Sequence, residues 1–245
     1  MQYESPHCAG MDRLTIVLPV LNEAAIIVAA LQALAPLRER GAEVIVVDGG
    51  SRDSTARLAE PLADRVIAVP RGRGAPMNAG AALGSGDRLL FLHADTALPD
   101  NADALIEAAL RRRPWGRFDL RIAGRHPLLA LVAHMINLRS RLTGVATGDQ
   151  AIFVTREAFV AVGGFPDLPL MEDIAISHRL KRLCRPFCIG TPVVTSGRRW
   201  ERNGVVRTIL LMWRLRLAYY LGVEPDLLAR RYNGAPSTAD GGARP

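Results

Sequence analysis

Residues 43–55 read EVIVVDGGSRDST, and this stretch decides the fold. Its first half, Glu43–Asp48, is apolar at nearly every position and rich in valine and isoleucine, which is typical of a strand buried on both faces. Its second half combines glycine, serine and aspartate, which favour turns. The stretch therefore predicts a buried strand that ends in an aspartate at a tight turn.

Similar runs lie on both sides of this strand, at residues 14–19 (LTIVLP), 65–69 (RVIAV) and 87–93 (DRLLFLH). Between the runs, alanine and leucine recur on one face at helical spacing, in residues 23–37, 54–63 and 75–83. Strands that alternate with helices form βαβ units with right-handed crossovers. We therefore predict an α/β fold, with a doubly wound, mostly parallel sheet and helices on both faces.

The alternation becomes less regular after Asp95. We predict helices at residues 102–112, 127–142, 172–183 and 205–221, an exposed strand at Trp115–Ala123 and a short strand at residues 150–154. Residues 12–200 should form one domain, followed by a C-terminal helical segment at residues 201–232. Residues 1–11 and 233–245 have little to bury and are predicted to be a disordered leader and tail.

The composition narrows the class of protein. Its 245 residues carry 31 Lys and Arg against 24 Asp and Glu, a net charge of +7 that suits phosphorylated ligands, nucleic acid or an anionic membrane. No aromatic stacking platform or zinc-finger spacing accompanies the basic residues, so we expect no nucleic-acid partner. The three cysteines form no disulfide pattern and the first residues form no secretory signal, so we expect a cytoplasmic protein.

Polar residues follow three of the predicted strands. Asn22 and Glu23 follow the first strand, Asp48 ends the second, and His93 and Asp95 follow the fourth. Ligands of open α/β sheets bind beyond the carboxyl ends of the strands. These side chains are therefore expected to share one cleft.

Two aspartates in this cleft have alternative interpretations. Asp48 precedes two glycines and suits a nucleobase or a ribose hydroxyl, but it can equally cap the turn. Asp95 suits Mg²⁺ or Mn²⁺, which take one or two carboxylates and complete their shell with substrate phosphates. His93, two residues earlier, shares its face of the strand. The alternative for this pair is a capping aspartate and a packed histidine. Asp53 is predicted to cap the next helix.

Two further segments could serve the same cleft. Arg73 and Gly74 precede a helix whose N-terminal N–H groups favour phosphate, although the segment lacks the dinucleotide and P-loop fingerprints. Asn78, within that helix, could bind or pack. Glu172 and Asp173 follow a loop rich in glycine and proline and could supply a general base, or merely favour the start of a helix.

Five motifs in this order resemble family 2 glycosyltransferases, which have the GT-A fold. They are PVLNE (19–23), VVDGGSRDST (46–55), GRGAPMNAGAALGSGD (72–87), FLHAD (91–95) and GGFPDLPLMEDIAISHRL (163–180). The resemblance spans roughly residues 14–190. It implies an inverting, single-displacement transfer from a nucleotide-diphosphate sugar, with a UDP- or GDP-sugar as the expected donor.

The resemblance also implies roles for individual residues. Nucleoside-binding positions are Pro19, Asn22, Glu23, Asp48 and the neighbouring Gly49. Asp95 matches the last carboxylate of the DxD metal motif, Asp173 beside Glu172 matches the catalytic base, and Asp149 and Gln150 fall on the acceptor side. His93 departs from the family because it occupies the first position of DxD, so Asp95 would hold Mg²⁺ or Mn²⁺ with phosphates and water.

The segment at residues 198–204, RRWERNG, is similar to a small branch labelled as arsenosugar-type biosynthesis glycosyltransferases, and it makes Arg199 and Trp200 candidate substrate contacts. It is also faintly similar to the QxxRW element of processive synthases. The glutamine is absent and no transmembrane bundle follows, so we do not expect polymer export.

The predicted helix at residues 205–221 is apolar but contains three arginines. Each arginine costs about 2.5–3.5 kcal/mol at a bilayer centre, so we expect the helix to pack on the domain rather than span a membrane. Contact with the inner face of a membrane, a homodimer, and a small-molecule or lipid-linked acceptor stay open. If its apolar face and that of residues 128–138 were both exposed, they would suit a lipid-linked acceptor or a dimer partner.

Two other functions remain as alternatives. A sugar-phosphate nucleotidyltransferase shares this kind of sheet but should carry a glycine-rich phosphate loop after the first strand, where residues 21–23 read LNE. A nucleotide-sugar-binding module at a membrane surface would bind a donor without turnover.

Overall fold

The computed structural model describes residues 13–233, except for the side chains of Arg199 and Asn233. The predicted leader and nearly all of the predicted tail lie outside these residues. Within them the strands are β1 (Leu14–Val20), β2 (Glu43–Asp48), β3 (Arg65–Ala68), β4 (Arg88–Phe91), β5 (Thr96–Ala97), β6 (Trp115–Ala123), β7 (Phe153–Thr155) and β8 (Phe187–Ser196). The helices are α1 (Ile27–Glu39), α2 (Thr55–Ala59), α3 (Gly74–Leu83), α4 (Ala102–Leu110), α5 (Leu128–Thr143), α6 (Arg156–Ala161), α7 (Glu172–Lys181), α8 (Arg198–Asn203), α9 (Val205–Tyr220) and α10 (Pro225–Asn233), and a 3-10 turn covers Gly148–Gln150.

All strands belong to one sheet in the order β3-β2-β1-β4-β7-β6-β8-β5. The first four are parallel, β7 runs antiparallel to β4 and β6, and β8 returns parallel to β6. Val20 pairs with Asp48, which pairs with Ala68, so the first three strands end level with one another. The predicted α/β fold is confirmed, and its parallel half presents the carboxyl edge that the polar residues follow.

Helices cover both faces of the sheet, as predicted. In β1, Ile16 and Leu18 point into a core cluster shared with α1, α4 and α5. Val17, between them, points into the cluster on the other face, which α3, α6 and α7 complete. This alternation explains why the strand is apolar at successive positions, since both of its faces are buried.

The C-terminal helices pack on the domain through a third cluster. Leu215 of α9 and Leu228 of α10 contact residues that precede and begin α7, among them Met171 and Ile174. The described residues include no helix that is both long and apolar enough to cross a membrane.

Two predictions of secondary structure were incomplete. The first helix begins at Ile27 rather than at residue 23, because the chain around Asn22 and Glu23 is bonded to the loop after β2. Strand β8 was not predicted, since Gly190 and Pro192 interrupt its β-branched run. It forms because it pairs along β6, with a register irregularity between Phe118 and Asp119 that accommodates the interruption.

Candidate active site

The loops that follow β1 and β2 are bonded to each other. The Asn22 backbone N–H donates to Ser51 Oγ at 2.8 Å, and the Arg52 N–H donates to Asn22 Oδ1 at 2.8 Å. Asn22 takes a left-handed conformation with φ of 55°, which asparagine tolerates better than most residues. The pair of loops is therefore preorganised at the carboxyl edge of the sheet.

Asp48 lies at the floor of these loops and is 5% exposed. Its Oδ1 accepts from the Ser51 N–H at 2.9 Å and from Ser51 Oγ at 2.5 Å. Among the described residues nothing donates to its Oδ2. Oδ1 thus caps the turn, while Oδ2 stays free to accept a hydrogen bond from a ligand. Capping of the turn and contact with a nucleobase or ribose are therefore compatible roles for Asp48.

The neighbouring residues shape the turn. Gly50 has a φ of 88°, a conformation that favours glycine, whereas a Cβ on Gly49 would meet only ordinary contacts. Asp53 Oδ1 accepts from the Thr55 N–H at 3.0 Å and Oδ2 accepts from the Ala24 N–H at 3.2 Å. Asp53 therefore joins the start of α2 to the loop after β1; its role is structural, although the N-cap of α2 is Ser54 and not Asp53 as predicted.

Glu23, Asp95 and Arg198 share one charged patch beyond β1 and β4. Asp95 is exposed, and Glu23 is half-buried. Burial raises the pKa of the Glu23 carboxyl, the negative charge of Asp95 raises it further, and Arg198 opposes both. Arg198 was not among the predicted site residues, although the basic segment at residues 198–202 was the available signal.

The described residues contain no group of three or more His, Cys, Asp or Glu side chains that could hold a metal by themselves. Asp95 offers an exposed carboxylate next to Glu23. This donor set fits Mg²⁺ or Mn²⁺ that takes most of its oxygen ligands from substrate phosphates and water. His93 lies against Gly148, where an added Cβ would come within 2.7 Å of its Nε2.

Asp173 lies in the first turn of α7 and accepts two backbone hydrogen bonds. Its Oδ2 accepts from the Gly148 N–H at 3.0 Å and its Oδ1 from the Ile174 N–H at 2.7 Å. It lines a small cavity of about 10 Å³ with Pro19, His93 and Glu172. It also lines a larger one of about 90 Å³, which Arg73, Arg216 and Tyr232 border. Asp173 therefore stands between the strand ends and the C-terminal helices.

Glu172 is buried, unlike Asp173. Its Oε1 lies 3.4 Å from Arg73 Nη1, while its Oε2 is buried without a partner among the described residues. Burial raises the pKa of Glu172 to about 7, the charge of Asp173 adds to this, and Arg73 opposes it. The small cavity beside Glu172 is about large enough for one water molecule, which could bond to Oε2.

The segment from Arg73 to Asn78 packs against the loop that leads to α7. A Cβ on Gly74 would lie 2.3 Å from the Pro166 carbonyl oxygen, so only glycine fits. The Asn78 amide accepts from the Phe165 N–H at 2.9 Å and donates to the Phe165 carbonyl at 2.8 Å. These bonds favour packing over ligand binding for Asn78. The Arg73 guanidinium lies 5.2 Å from the centre of the Tyr232 ring.

The remaining predicted residues differ in exposure. Gln150 is fully buried, and its amide accepts from the Thr147 N–H and donates to Asn137 Oδ1, so it shapes the 3-10 turn. Asp149 Oδ1 is buried and has no partner among the described residues. Trp200 packs partly against the main core cluster. The side chain of Arg199 lies outside the described part of the chain.

Two arginines on helices α5 and α9 were not predicted as site residues. Arg216 of α9 lines the 90 Å³ cavity beside Asp173. Burial lowers the pKa of Arg139 of α5 to about 10, and the charge of Arg216 adds to the effect. The available sequence signal was that each is a charged residue within an apolar helix.

Comparison with known sequences identifies the matching family. Residues 15–122 match the family model described as glycosyl transferase family 2. A PGL/p-HBAD biosynthesis glycosyltransferase of Mycobacterium bovis is 37% identical over 102 residues, which cover 39% of this chain and 40% of that protein. The chain thus spans about two fifths of the length of the curated relatives it matches.

Solved structures share the fold. Staphylococcus aureus TarS, residues 1–349 in complex with UDP-GlcNAc, has a TM-score of 0.61 and 18% identity, over 75% of this chain and 58% of that one. The mannosyltransferase PcManGT from Pyrobaculum calidifontis, in complex with GDP-Man and Mn²⁺, has a TM-score of 0.60 and 25% identity, over 95% and 66%. The architecture of this chain is therefore GT-A.

Proposed function

We propose that the chain moves a sugar from a nucleotide-diphosphate donor to an acceptor hydroxyl with inversion, a proposal supported by the match of residues 15–122 to the glycosyl transferase family 2 model and by the GT-A fold. The observation that carries the proposal is the arrangement of three aspartates around one sheet edge. Asp48 lies under the loops after β1 and β2, Asp95 beyond β4, and Asp173 beside a cavity under the C-terminal helices.

The nucleoside of the donor binds at the loops after β1 and β2. Asp48 Oδ2 accepts a hydrogen bond from the base or ribose, while Ser51 holds Oδ1 in place. The solved neighbours were captured with UDP-GlcNAc and with GDP-Man, which supports a UDP- or GDP-sugar as the donor. Both donors present N–H and O–H groups to a carboxylate.

Asp95 anchors Mg²⁺ or Mn²⁺ at the donor diphosphate. PcManGT was captured with Mn²⁺, which supports this choice of ion. When bound, the ion neutralises charge on the leaving diphosphate. Glu23 stands next to this position; burial raises the pKa of its carboxyl, and the negative charge of Asp95 raises it further.

Asp173 acts as the general base. Hydrogen bonds from the Gly148 and Ile174 N–H groups fix the orientation of its carboxylate, which takes the proton from the acceptor hydroxyl. The acceptor oxygen then attacks the sugar carbon opposite the leaving diphosphate, which inverts that centre. Glu172 is less suited to this step, since it is buried against Arg73. The acceptor occupies the 90 Å³ cavity that Asp173 lines.

We place the reaction in the cytoplasm. Cys184 and Cys188 are both free thiols, which suits a reducing compartment.

A panel of UDP-, GDP- and dTDP-sugars tests the proposal by thermal shift with Mn²⁺. One donor should raise the melting temperature, since a ligand that binds only the folded state adds stability by mass action. With an acceptor, that donor should release its nucleoside diphosphate. Binding without turnover over a broad acceptor panel would instead indicate a binding module. Pyrophosphate release from a nucleoside triphosphate and a sugar phosphate would indicate a nucleotidyltransferase.

A further inference from the structure

Helix α9 leaves an apolar stripe in solvent. Val206, Leu210, Trp213, Leu217 and Tyr220 recur at helical spacing and are each between 54% and 63% exposed. They lie on one side of the helix, because residues three and four apart are neighbours on its surface. We call these five residues the outer stripe.

The outer stripe is not needed to hold α9 in place. Val205, Thr208 and Leu215 are buried, and Leu215 packs in the cluster that joins α9 to α7 and α10. Met212, Leu215 and Arg216 line the cavity beside Asp173. The helix therefore has an inner side on the candidate active site and an outer side that, apart from an edge contact between Tyr220 and His178, the described chain leaves exposed.

Helix α5 repeats this pattern. Leu131, Met135, Leu138 and Leu142 follow the same spacing as Val206, Leu210, Trp213 and Leu217, and they are 40% to 68% exposed. Both helices bury their other side in the main core cluster, α5 through Leu129 and Val132 and α9 through Val205. Exposed apolar residues in such regular rows indicate an interaction surface.

The charges on the two helices select among partners. Neither helix contains an aspartate or glutamate. Arg207 and Arg214 of α9 are exposed beside the outer stripe, whereas Arg139 and Arg216 face inward and Arg141 pairs with Asp119. Arg207 and Arg214 lie beside Val206, Leu210 and Leu211 on the same surface of α9. A symmetric dimer through this surface would bring like charges together, whereas an anionic surface would neutralise them.

We propose that the outer stripe of α9, together with the exposed row of α5, docks the protein on an anionic membrane surface. A helix with arginines beside an apolar row of Leu, Trp and Tyr suits the boundary between headgroups and acyl chains. At 16 residues α9 is about 24 Å long, which suits a helix that lies in the plane of the surface. The docking does not depend on the proposed catalysis.

The docking also specifies the acceptor class. Because the inner side of α9 lines the cavity next to Asp173, docking places that cavity at the membrane surface. A lipid-linked acceptor with its hydroxyl in the headgroup region would then reach the base. This second step rests on the proposed function, whereas vesicle binding tests the first step alone.

Vesicle co-sedimentation tests the docking. The full chain should bind vesicles of phosphatidylcholine with phosphatidylglycerol, and should bind pure phosphatidylcholine vesicles weakly. Leu210→Ser with Leu217→Ser should weaken binding at least about tenfold, since burial of the exposed half of each leucine contributes about a factor of three to ten. Arg207→Gln with Arg214→Gln should weaken vesicle binding by about fivefold per arginine. This loss should be smaller at high salt, because salt screens the attraction to the anionic lipid.

Matched controls lie elsewhere on the surface. Val160→Ser removes an apolar side chain that is 69% exposed on α6, and Arg57→Gln with Arg111→Gln removes two exposed arginines. These variants should bind vesicles like the unmodified chain. Trp213 is 63% exposed and Trp115 is fully buried, so a blue shift of emission on vesicle addition, lost in Trp213→Phe, would place α9 in the lipid.

Equal binding by the stripe variants and the controls would overturn the proposal. So would a dimer in sedimentation velocity that the stripe variants convert to monomers while vesicles bind none of the proteins, since the surface would then join two copies. If vesicles bind as expected but no lipid-linked acceptor is glycosylated, the docking stands and the assignment of the acceptor fails.

Discussion

Gly148 donates its backbone N–H to Oδ2 of Asp173 at 3.0 Å, and this bond joins the 3-10 turn after α5 to the first turn of α7. The other oxygen, Oδ1, accepts from the Ile174 N–H. Each carboxylate oxygen thus has one backbone donor, which orients the side chain without neutralising it. Gly148 also leaves room for His93, because a Cβ there would lie 2.7 Å from the imidazole. One glycine therefore positions both the candidate base and the histidine beyond β4.

Replacing this candidate base by its amide should separate chemistry from binding. We expect Asp173→Asn to lower kcat by about 10²–10⁴-fold, the usual contribution of a positioned general base. The donor Kd should change little, because Asp48 and Asp95 lie on other loops. Steady-state kinetics gives kcat, and calorimetry with the donor gives Kd.

The control for this variant is Asp167→Asn, an exposed carboxylate in the loop that leads to α7. It should keep the kcat of the unmodified protein. An Asp173→Asn protein with unchanged kcat would assign the base elsewhere, with Glu172 as the next candidate to test.

Asp95 should determine the requirement for a divalent ion. We expect Asp95→Ala to raise the Mn²⁺ concentration for half-maximal transfer by at least about tenfold, because it removes the one exposed carboxylate proposed to hold the ion. Asp100→Ala, in the following loop, should leave the Mn²⁺ titration unchanged. Activity titrated with Mn²⁺ at saturating donor gives the measurement, and identical curves for the two variants would exclude Asp95 as the anchor.

Sequence patterns predicted the parallel half of the fold better than the site. Strands β1, β2 and β4 were found because they are buried on both faces and therefore apolar nearly throughout, and β3 because Val66 and Ile67 pack against the clusters on opposite faces. The start of α1 was missed, since it depends on hydrogen bonds from Asn22 and Glu23 to side chains after β2. Such bonds join residues about thirty positions apart and leave no local pattern. Strand β8 was missed for a related reason, because only its pairing with β6 overrides Gly190 and Pro192.

Contacts between residues far apart in sequence also limited the prediction of the candidate site. The predicted strand ends place Asn22, Glu23, Asp48 and Asp95 at one edge of the sheet, and they lie there in the structure. The reason is that parallel strands have their carboxyl ends on the same side. The difference between Glu172 and its neighbour Asp173 could not be predicted. It arises because Arg73, far away in sequence, lies against the buried Glu172, whereas both oxygens of the less buried Asp173 are held by backbone N–H groups.

The buried Glu172 should make stability depend on pH. Its pKa rises from 4.5 to about 7 in the folded protein, so between these values the folded state binds more protons than the unfolded state. The free energy of unfolding must therefore fall as pH rises through this window. We expect the difference between the unmodified protein and Glu172→Gln to shift by on the order of 2 kcal/mol from pH 5 to pH 8, in favour of the variant at high pH.

Urea unfolding at both pH values measures this difference. Arg73→Met should enlarge the shift, because Arg73 stabilises the ionised form of Glu172. Parallel pH profiles for the unmodified protein and Glu172→Gln would mean that Glu172 is solvated rather than buried.

Gly80 should be essential for the packing of α3 on the sheet. A Cβ at this position would lie 2.4 Å from Val17 Cγ1 and 3.0 Å from Val47 Cγ2, and both valines are fully buried in strands that cannot easily move. We expect Gly80→Ala to lower the free energy of unfolding by about 1–3 kcal/mol, despite the better helix propensity of alanine.

The matched variant is Gly72→Ala, just before α3, where the nearest atom to an added Cβ is 3.5 Å away. It should change stability by less than about 0.5 kcal/mol. Because α3 begins next to Arg73, the shift forced by Gly80→Ala should also displace the Arg73 pair with Glu172 and, like Arg73→Met, enlarge the pH dependence described above. Chemical unfolding of both variants at pH 5 and pH 8 tests the two effects together. If Gly80→Ala were as stable as Gly72→Ala, α3 would lie farther from β1 and β2 than the contact distances indicate.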